Sequence, residues 1–267
     1  MREERLTYEV QGKRDGIAIL MIHPLGADRR FWDETRFYLN SLLSTVSCDL
    51  RGSGCSPDLD RPLTLDMVSD DIESIREELG LTRMVVAGCA VGAMAAARYA
   101  VRYPEIVAAL VMSNPGFRIT PEGKANLSQR ADVVRKQGMQ SLLPQAIENA
   151  FFGYYDTERC RLYEERFVRQ KPENYALAAL GVADGDISAD FRSIVCPVLL
   201  VPGTNDRLFP APHTREILNL LPNADVAEFP QGAHFIPYQQ PQEFAAAVSA
   251  FLERRNLLVN SPPLTDR

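Results

Sequence analysis

The feature that most constrains this 267-residue chain is the pentapeptide Gly88-Cys89-Ala90-Val91-Gly92. The apolar run 83–87 before it is typical of a buried strand, and the run 93–100 after it consists largely of strong helix formers. Glycines on both sides of the centre are typical of a turn so tight that side chains there would collide with neighbouring backbone. The sequence therefore predicts a strand, a sharp turn and a helix, with residue 90 at the tip of the turn.

Strand-like and helix-like segments alternate along most of the chain. Further short segments predict strands at 6–10, 17–22, 44–49, 108–113, 198–201 and 226–229, and the segment 17–22 is apolar throughout. Periodic segments predict helices at 31–42, 64–79 and 241–255. This alternation predicts an α/β fold, in which helices cover both faces of a mostly parallel sheet.

One long segment, residues 117–189, interrupts the alternation, since it has helical periodicity and many charges but no convincing strand. We interpret it as a helical insertion into a single α/β core that is formed by residues 1–116 and 190–256. Residues 257–267, which include Pro262 and Pro263, are predicted to form a loose C-terminal tail.

Composition excludes several classes of protein. The net charge of -6 gives no electrostatic reason to expect a nucleic-acid partner. No run approaches the ~18–20 apolar residues of a membrane span, and the N-terminal MREER is not followed by a signal-like apolar segment. The five cysteines and three histidines lack metal-ligand spacing. We therefore expect a cytoplasmic protein with reduced thiols, no metal, no cofactor and no membrane partner.

The pentapeptide has the spacing of the Gly-x-Ser-x-Gly nucleophile motif, with Ala90 in place of the serine. Four other motifs accompany it, and with them the chain resembles the α/β-hydrolase superfamily. They are an oxyanion loop at His23-Pro24-Leu25-Gly26, an Asp-x-Arg-Gly-x-Gly-x-Ser loop at 49–56, a Gly-x-x-Asp-x-x-x-Pro segment at 203–210, and a Gly-x-His segment at 232–234.

The resemblance implies a role for each motif. Ala90 occupies the position of the nucleophile, presumed to be serine in the active form; Asp206 is the acid and His234 the general base, in the superfamily's order. The oxyanion hole would use the N–H of Val91 and that of Leu25, because proline at position 24 has no N–H. His23, Asp49 and Arg51 are interpreted as loop-bracing residues, and the insertion as a lid over the site.

The stretch 23–32 is similar to the corresponding part of 3-oxoadipate enol-lactonase-like hydrolases. Carbon–carbon hydrolases of ring-cleavage pathways commonly carry tryptophan after the catalytic histidine, where this chain has Phe235. Candidate contacts with a small-molecule substrate are Phe235 and three arginines close to the motifs: Arg29, Arg30 and Arg207. The arginines could bind a substrate carboxylate or brace loops.

Alanine cannot act as a nucleophile, so the chain as written is expected not to form an acyl-enzyme. Either serine has been replaced deliberately, or the natural protein has lost or changed the chemistry; the retained acid, base and glycines favour the first. The leading hypothesis is a serine-type hydrolase of a small carboxylic ester, lactone or related acyl compound in ring-compound catabolism, in an inactive form. The alternatives are a carbon–carbon or amide hydrolase of a ring-cleavage product, a cofactor-free oxygenase or lyase that uses the His-Asp pair, and a non-catalytic small-molecule receptor.

Overall fold

The computed structural model describes residues 5–12, 16–39, 41–221 and 223–258. Seven strands form one sheet in the order β1-β3-β2-β4-β5-β6-β7, in which β1 is antiparallel to β3 and the other neighbours are parallel. The strands are β1 (Tyr8–Gly12), β2 (Ala18–Ile22), β3 (Ser44–Cys48), β4 (Met84–Cys89), β5 (Val107–Ser113), β6 (Val198–Val201) and β7 (Asp225–Val226).

Helices follow most of the strands. They are α1 (Asp33–Leu39), α2 (Leu65–Glu78), α3 (Val91–Arg102), α4 (Pro121–Gln137), α5 (Gln145–Ala150), α6 (Thr157–Val168), α7 (Pro172–Val182), α8 (Ala211–Leu220), α9 (Ile236–Gln239) and α10 (Pro241–Arg254). Among the described helices, none is long and apolar enough to cross a membrane.

The centre of the sheet carries the core. Every residue of β2, β4 and β5 is buried, because helices cover both faces of a parallel sheet and leave no polar side to the strands. Helix α2 begins where the sequence predicts. Thr64 caps its N-terminus, since the Thr64 hydroxyl oxygen accepts a hydrogen bond of 3.1 Å from the Met67 N–H. The predicted α/β fold, with helices covering a mostly parallel sheet, is thus confirmed.

Two predicted elements are shorter than expected. The helix predicted at 31–42 is a 3-10 turn at Arg29–Trp32 followed by α1, which ends at Leu39. The strand predicted at 226–229 is the two-residue β7, and Phe229 makes only an isolated bridge with Gly203. The predicted tail lies outside the described residues from 259 onward.

The segment 117–189, hereafter the helical segment, leaves and rejoins the α/β core at one place. It contains α4 to α7, and its two ends pair with each other through an antiparallel bridge between Arg118 and Asp186. The Ile119 N–H donates to the Gly185 carbonyl oxygen at 2.9 Å, and the Ile187 N–H donates to that of Phe117 at 2.8 Å. The helical segment therefore lies between β5 and β6 in the chain without interrupting the pairing of the two strands.

Candidate active site

Ala90 lies in the sharp turn between β4 and α3, with a φ of 54° and a ψ of -117°. Such a conformation is unfavourable for a residue with a side chain and costs of order 1–3 kcal/mol. The flanking glycines allow it, because a Cβ on Gly88 would lie 2.1 Å from the Gly92 carbonyl oxygen and one on Gly92 would lie 2.4 Å from that of Ile22. The turn predicted from the pentapeptide is present, and it places the Ala90 methyl group at the carboxyl end of β4.

His234 and Asp206 form a buried pair next to this turn. The Nδ1 atom of His234 lies 3.0 Å from each carboxylate oxygen of Asp206. Asp206 also accepts hydrogen bonds from the backbone N–H groups of Leu208 at 2.8 Å and Phe209 at 3.0 Å. Burial by itself would raise the pKa of Asp206, but the His234 imidazole and these hydrogen bonds outweigh burial and hold the pKa below its usual value. Asp206 is therefore an ionised carboxylate that fixes the imidazole by its Nδ1 side.

Asn114 completes the support of this pair and was not identified from the sequence. Its Nδ2 donates to Asp206 at 3.0 Å and to the Ala233 carbonyl oxygen at 2.7 Å, while its Oδ1 accepts from the Ile236 N–H at 3.2 Å. Asn114 directly follows β5 and has a φ of 50°, a conformation that asparagine tolerates better than most residues. Its position at the end of a central strand is the one signal in the sequence that could have indicated it.

The turn, the histidine and the loop after β2 meet in one cavity of about 170 Å³, hereafter the Ala90 pocket. Ala90, Val91, Leu25, His234 and Phe235 all line it, together with residues of the helical segment. Within the part of the chain that the structure describes, the backbone N–H groups of Leu25 and Val91 donate to no protein acceptor. Two residues whose backbone donors remain available therefore line the same pocket as the Ala90 methyl group, as an oxyanion hole requires.

The helical segment is attached to the loop that carries Leu25. The Gly26 carbonyl oxygen accepts hydrogen bonds from the Tyr163 hydroxyl at 2.9 Å and the Gln170 side chain at 2.7 Å. A Cβ on Gly26 would lie 2.9 Å from the Phe167 ring, so α6 packs directly on this loop. The His234 N–H in turn donates to the Ala150 carbonyl oxygen at 3.1 Å. Both sides of the pocket are thus bonded to the helical segment.

The residues interpreted as loop braces make contacts of that kind. His23 is buried, with Nδ1 2.9 Å from the Pro24 carbonyl oxygen and Nε2 accepting from the Leu50 N–H at 3.1 Å. Asp49 accepts from the backbone N–H of Cys55 at 2.9 Å. Arg51 donates from both Nε and Nη2 to Asp71. These residues shape the loops and do not line the Ala90 pocket.

Of the four predicted substrate contacts, only Phe235 lines the Ala90 pocket. Arg29 binds Asp49 through both its side chain and its backbone N–H. Arg30 lines a separate, more polar cavity of about 340 Å³ that contains neither Ala90 nor His234. Arg207 stacks on the Phe152 ring, with its Cζ 3.1 Å from the ring centroid. The structure therefore does not bring the three predicted arginines to the pocket.

Other basic residues line the pocket instead. Arg118 and Arg130 come from the helical segment, and His213 comes from the first turn of α8. Sequence reasoning missed them because the arginines lie far from every motif, and because nothing in the sequence around His213 marks it as a pocket residue. His213 packs between the rings of Phe117 and Phe209, and burial lowers its pKa.

Cys89, next to the turn, does not substitute for the missing nucleophile. It is fully buried, with its Sγ 3.6 Å from Oδ1 of Asn114, and burial raises the pKa of its thiol well above the usual value. A thiol that stays protonated is a poor nucleophile. Among the described residues, no group of three or more His, Cys, Asp or Glu side chains could hold a metal ion.

The motifs, the sheet order and the geometry of the turn all point to one family, and a family model described as the alpha/beta hydrolase family matches residues 19–247. The chain belongs to the alpha/beta hydrolase family. Among curated proteins it is 23% identical to 3-oxoadipate enol-lactonase 2 of Acinetobacter baylyi, with 94% of each chain covered. It is 29% identical to a putative carbamate hydrolase, RutD, of a Caulobacter species, with 92% of this chain and 95% of the relative covered.

Solved structures give the same result. An esterase from Thermogutta terrifontis, solved with malate bound, is 25% identical and superposes with a TM-score of 0.87 over 94% of this chain and 93% of its own. The enol-lactonase of Burkholderia xenovorans is 22% identical and superposes with a TM-score of 0.85 over 93% of this chain and 96% of its own. The resemblance to enol-lactonases predicted from the motifs is therefore confirmed.

Proposed function

We propose that this chain has the active site of a serine-type hydrolase of small esters, lactones or carbamates, and that the Ala90 form binds substrate without turning it over. One observation carries the proposal. His234, which is held by the buried carboxylate of Asp206, lines one small cavity together with Ala90 and with Leu25 and Val91, whose backbone N–H groups donate to no acceptor among the described residues. Acyl transfer needs a base and an oxyanion hole arranged around one attacking atom.

The chemistry follows from these positions once position 90 carries a hydroxyl. His234 is held through Nδ1, so its Nε2 is the nitrogen that takes the proton as the serine oxygen attacks the substrate carbonyl. The N–H groups of Leu25 and Val91 stabilise the negative oxygen of the tetrahedral intermediate. The protonated imidazole then donates to the leaving group, and a water activated by His234 releases the acyl group.

The relatives' printed names support the substrate class. An enol-lactonase and a putative carbamate hydrolase match nearly the whole chain, and both cleave a carbonyl carbon–heteroatom bond by name. The small volume of the pocket favours a compact substrate, in keeping with the proposed role in breaking down ring compounds.

We further propose that the helical segment acts as a lid, because its residues line the pocket and form hydrogen bonds with the pocket's loops.

The decisive experiment is Ala90→Ser. We expect the variant to hydrolyse an activated ester such as 4-nitrophenyl acetate and to gain the mass of a fluorophosphonate adduct at residue 90. The matched control, Ala90→Ser with His234→Ala, keeps the hydroxyl but loses its base, and we expect its rate to fall by about 10³-fold or more. A folded Ala90→Ser protein that neither cleaves activated esters nor reacts with the probe would contradict the proposal.

The same assay distinguishes the hydrolase from the other functions that alanine at position 90 leaves possible. A lyase or oxygenase that uses only the His-Asp pair predicts activity in the Ala90 chain that the serine variant leaves unchanged. A receptor predicts tight binding of a small molecule with no turnover in either form. Position 90 itself is the observation that favours these alternatives, because alanine there has no role in a covalent mechanism.

A further inference from the structure

A second cavity, of about 340 Å³ and hereafter the Arg30 cavity, lies where the helical segment meets two segments of the α/β core. Its walls come from the core segments 26–31 and 52–58 and from residues between 163 and 174. Among the described residues that line it, Tyr163 alone also lines the Ala90 pocket. Its volume lies within the range of about 300–1,000 Å³ that is typical of small-molecule sites. The Arg30 cavity is therefore a second candidate binding site, separate from the candidate active site.

Three arginines that line this cavity have no counter-ion among the described residues. Arg30 comes from the core, whereas Arg166 and Arg169 come from the carboxyl end of α6. Within the described ranges, none of the three guanidinium groups forms an ion pair or a hydrogen bond, and the Cζ of Arg166 lies 5.2 Å from the centroid of the Tyr238 ring. Arg161, on the same helix, instead pairs with two glutamates. Three positive charges thus line one cavity with no described carboxylate to neutralise them.

The other charged groups of the cavity already have partners. The Lys171 ammonium lies 2.7 Å from the Asp58 carboxylate, to which Asn174 also donates a hydrogen bond of 2.8 Å. Asp28 accepts a hydrogen bond of 2.9 Å from the backbone N–H of Arg30. The described lining therefore has four cationic side chains against the two carboxylates of Asp28 and Asp58. Because positive charge is in excess, the cavity favours an anion as its ligand.

The number of arginines indicates which kind of anion fits. A carboxylate is matched by a single guanidinium, because the fork of donors on one arginine engages both of its oxygens. A phosphate monoester has a charge of about -1.5 to -2 near neutral pH and three acceptor oxygens, so it can engage all three arginines. The rings of Phe31 and Tyr163 also line the cavity and can contact the organic part of such an ester. Inorganic phosphate, which has no organic part, is much smaller than the cavity.

We propose that the Arg30 cavity binds the phosphate group of a small phosphate monoester. Arg30 belongs to the core, and Arg166 and Arg169 belong to the helical segment, so a phosphate bound by all three connects the two parts of the molecule. A ligand that binds the folded state alone stabilises it, so the ester should raise the midpoint temperature of thermal unfolding. The proposal does not depend on the hydrolase function, because neither Ala90 nor His234 lines this cavity.

Calorimetric titration of the Ala90 protein at constant ionic strength tests the site. Phenyl phosphate is expected to bind, inorganic phosphate to bind more weakly because it lacks the ring, and benzoate to bind weakest because it has a single charge. Arg166→Gln should weaken the affinity for phenyl phosphate by about 10-fold. Arg30→Gln and Arg169→Gln, at exposed positions, should each weaken it by about 3-fold or more.

Two control variants separate a specific site from a general effect of charge. Arg192→Gln removes an exposed guanidinium that also has no ion pair among the described residues and lines neither cavity, so it should bind phenyl phosphate as the parent does. Arg130→Gln removes a positive charge from the Ala90 pocket and should likewise leave the affinity unchanged. A loss of binding in Arg130→Gln, with none in Arg166→Gln, would place the phosphate in the Ala90 pocket and refute the proposal.

The remaining outcomes are equally distinct. No binding of phenyl phosphate to the parent, or equal affinities in the parent and in all three cavity variants, would overturn the site. Benzoate bound as tightly as phenyl phosphate would overturn the assignment to a phosphate group. Inorganic phosphate bound as tightly as phenyl phosphate would overturn the assignment to an ester. Phenyl phosphate should also raise the midpoint temperature of thermal unfolding in the parent and in Arg192→Gln, and should lose this effect when Arg30, Arg166 and Arg169 are all replaced by glutamine.

Discussion

Asn114 donates a hydrogen bond of 3.0 Å to the carboxylate of Asp206, and both side chains are buried. A residue at the end of β5 thus holds the acid that in turn holds His234. The same amide bridges to the Ala233 carbonyl oxygen and the Ile236 N–H, on either side of that histidine. Asn114 therefore fixes the position of the imidazole from three directions.

Replacement of this side chain should be costly. We expect Asn114→Ala to lower the free energy of unfolding by about 2–4 kcal/mol, because it leaves a buried carboxylate and backbone groups without partners. Urea unfolding monitored by fluorescence gives the value. Asn256→Ala is the matched control, since Asn256 also has a positive φ of 54° but is exposed; it should lose only about 1 kcal/mol. Equal losses in the two variants would mean that the backbone conformation, and not the hydrogen bonds of Asn114, determines the loss of stability.

Asp206 should make the protein sensitive to acid. Because its pKa is lower in the folded protein than in the unfolded chain, its contribution to stability is present above the unfolded value of about 4 and is lost as the pH falls through the folded value. We expect the free energy of unfolding to fall less steeply in Asp206→Asn than in the parent when the pH is lowered from about 5 to 3. Asp60→Asn, at an exposed position, should keep the parent's profile. Identical profiles for parent and Asp206→Asn would disprove the assignment.

The close approach of Gly92 to β2 gives a sharp test of the turn. Gly92→Ala should destabilise the protein by about 3 kcal/mol or more, because its Cβ would lie 2.4 Å from the Ile22 carbonyl oxygen and backbone atoms cannot rotate away. Gly123→Ala, also within the first turn of a helix, meets the Ile119 side chain at 3.1 Å and should be neutral or gain up to about 1 kcal/mol from helix propensity. The midpoint temperature of thermal unfolding should fall in Gly92→Ala and stay unchanged or rise in Gly123→Ala. A tolerated Gly92→Ala would mean that the turn is less tight than described.

The strained backbone of Ala90 predicts an unusual gain in stability. Glycine adopts a φ of 54° without steric cost, so Ala90→Gly should raise the free energy of unfolding by about 1 kcal/mol, even after glycine's greater freedom in the unfolded chain is subtracted. Ala97→Gly, in the middle of the helix that follows, should instead lower it by about 1 kcal/mol or more. The comparison is made by denaturant unfolding at one pH, and an Ala90→Gly variant less stable than the parent would argue against strain at this position.

Much of this architecture could be predicted from local sequence. The central strands are apolar throughout because they are buried on both faces, and the turn at Ala90 is recognisable because its two glycines cannot be replaced sterically. Asp206 follows β6 and His234 follows β7, so both lie in loops at the carboxyl edge of the sheet. Segments that follow the carboxyl ends of parallel strands meet at one edge of the sheet, and the two side chains are 3.0 Å apart there.

The pocket walls could not be predicted in the same way. Arg29 lies next to a motif, yet its guanidinium binds Asp49, whereas Arg130 lies in a segment with no motif and reaches the pocket through the packing of α4. Which face of a helix looks inward depends on tertiary contacts, and α4 has few buried residues to mark that face. Sequence proximity to a motif is therefore a poor guide to which side chains contact a ligand.

Because the two ends of the helical segment lie next to each other, the length and sequence of this segment can vary without a change in the sheet. Since residues 117–119 pair with residues 185–187, a longer, shorter or unrelated stretch could be exchanged at this junction without moving β5 away from β6. The α/β core and most of the pocket walls therefore join at a single place in the chain, so that the walls can be varied while the sheet keeps its arrangement.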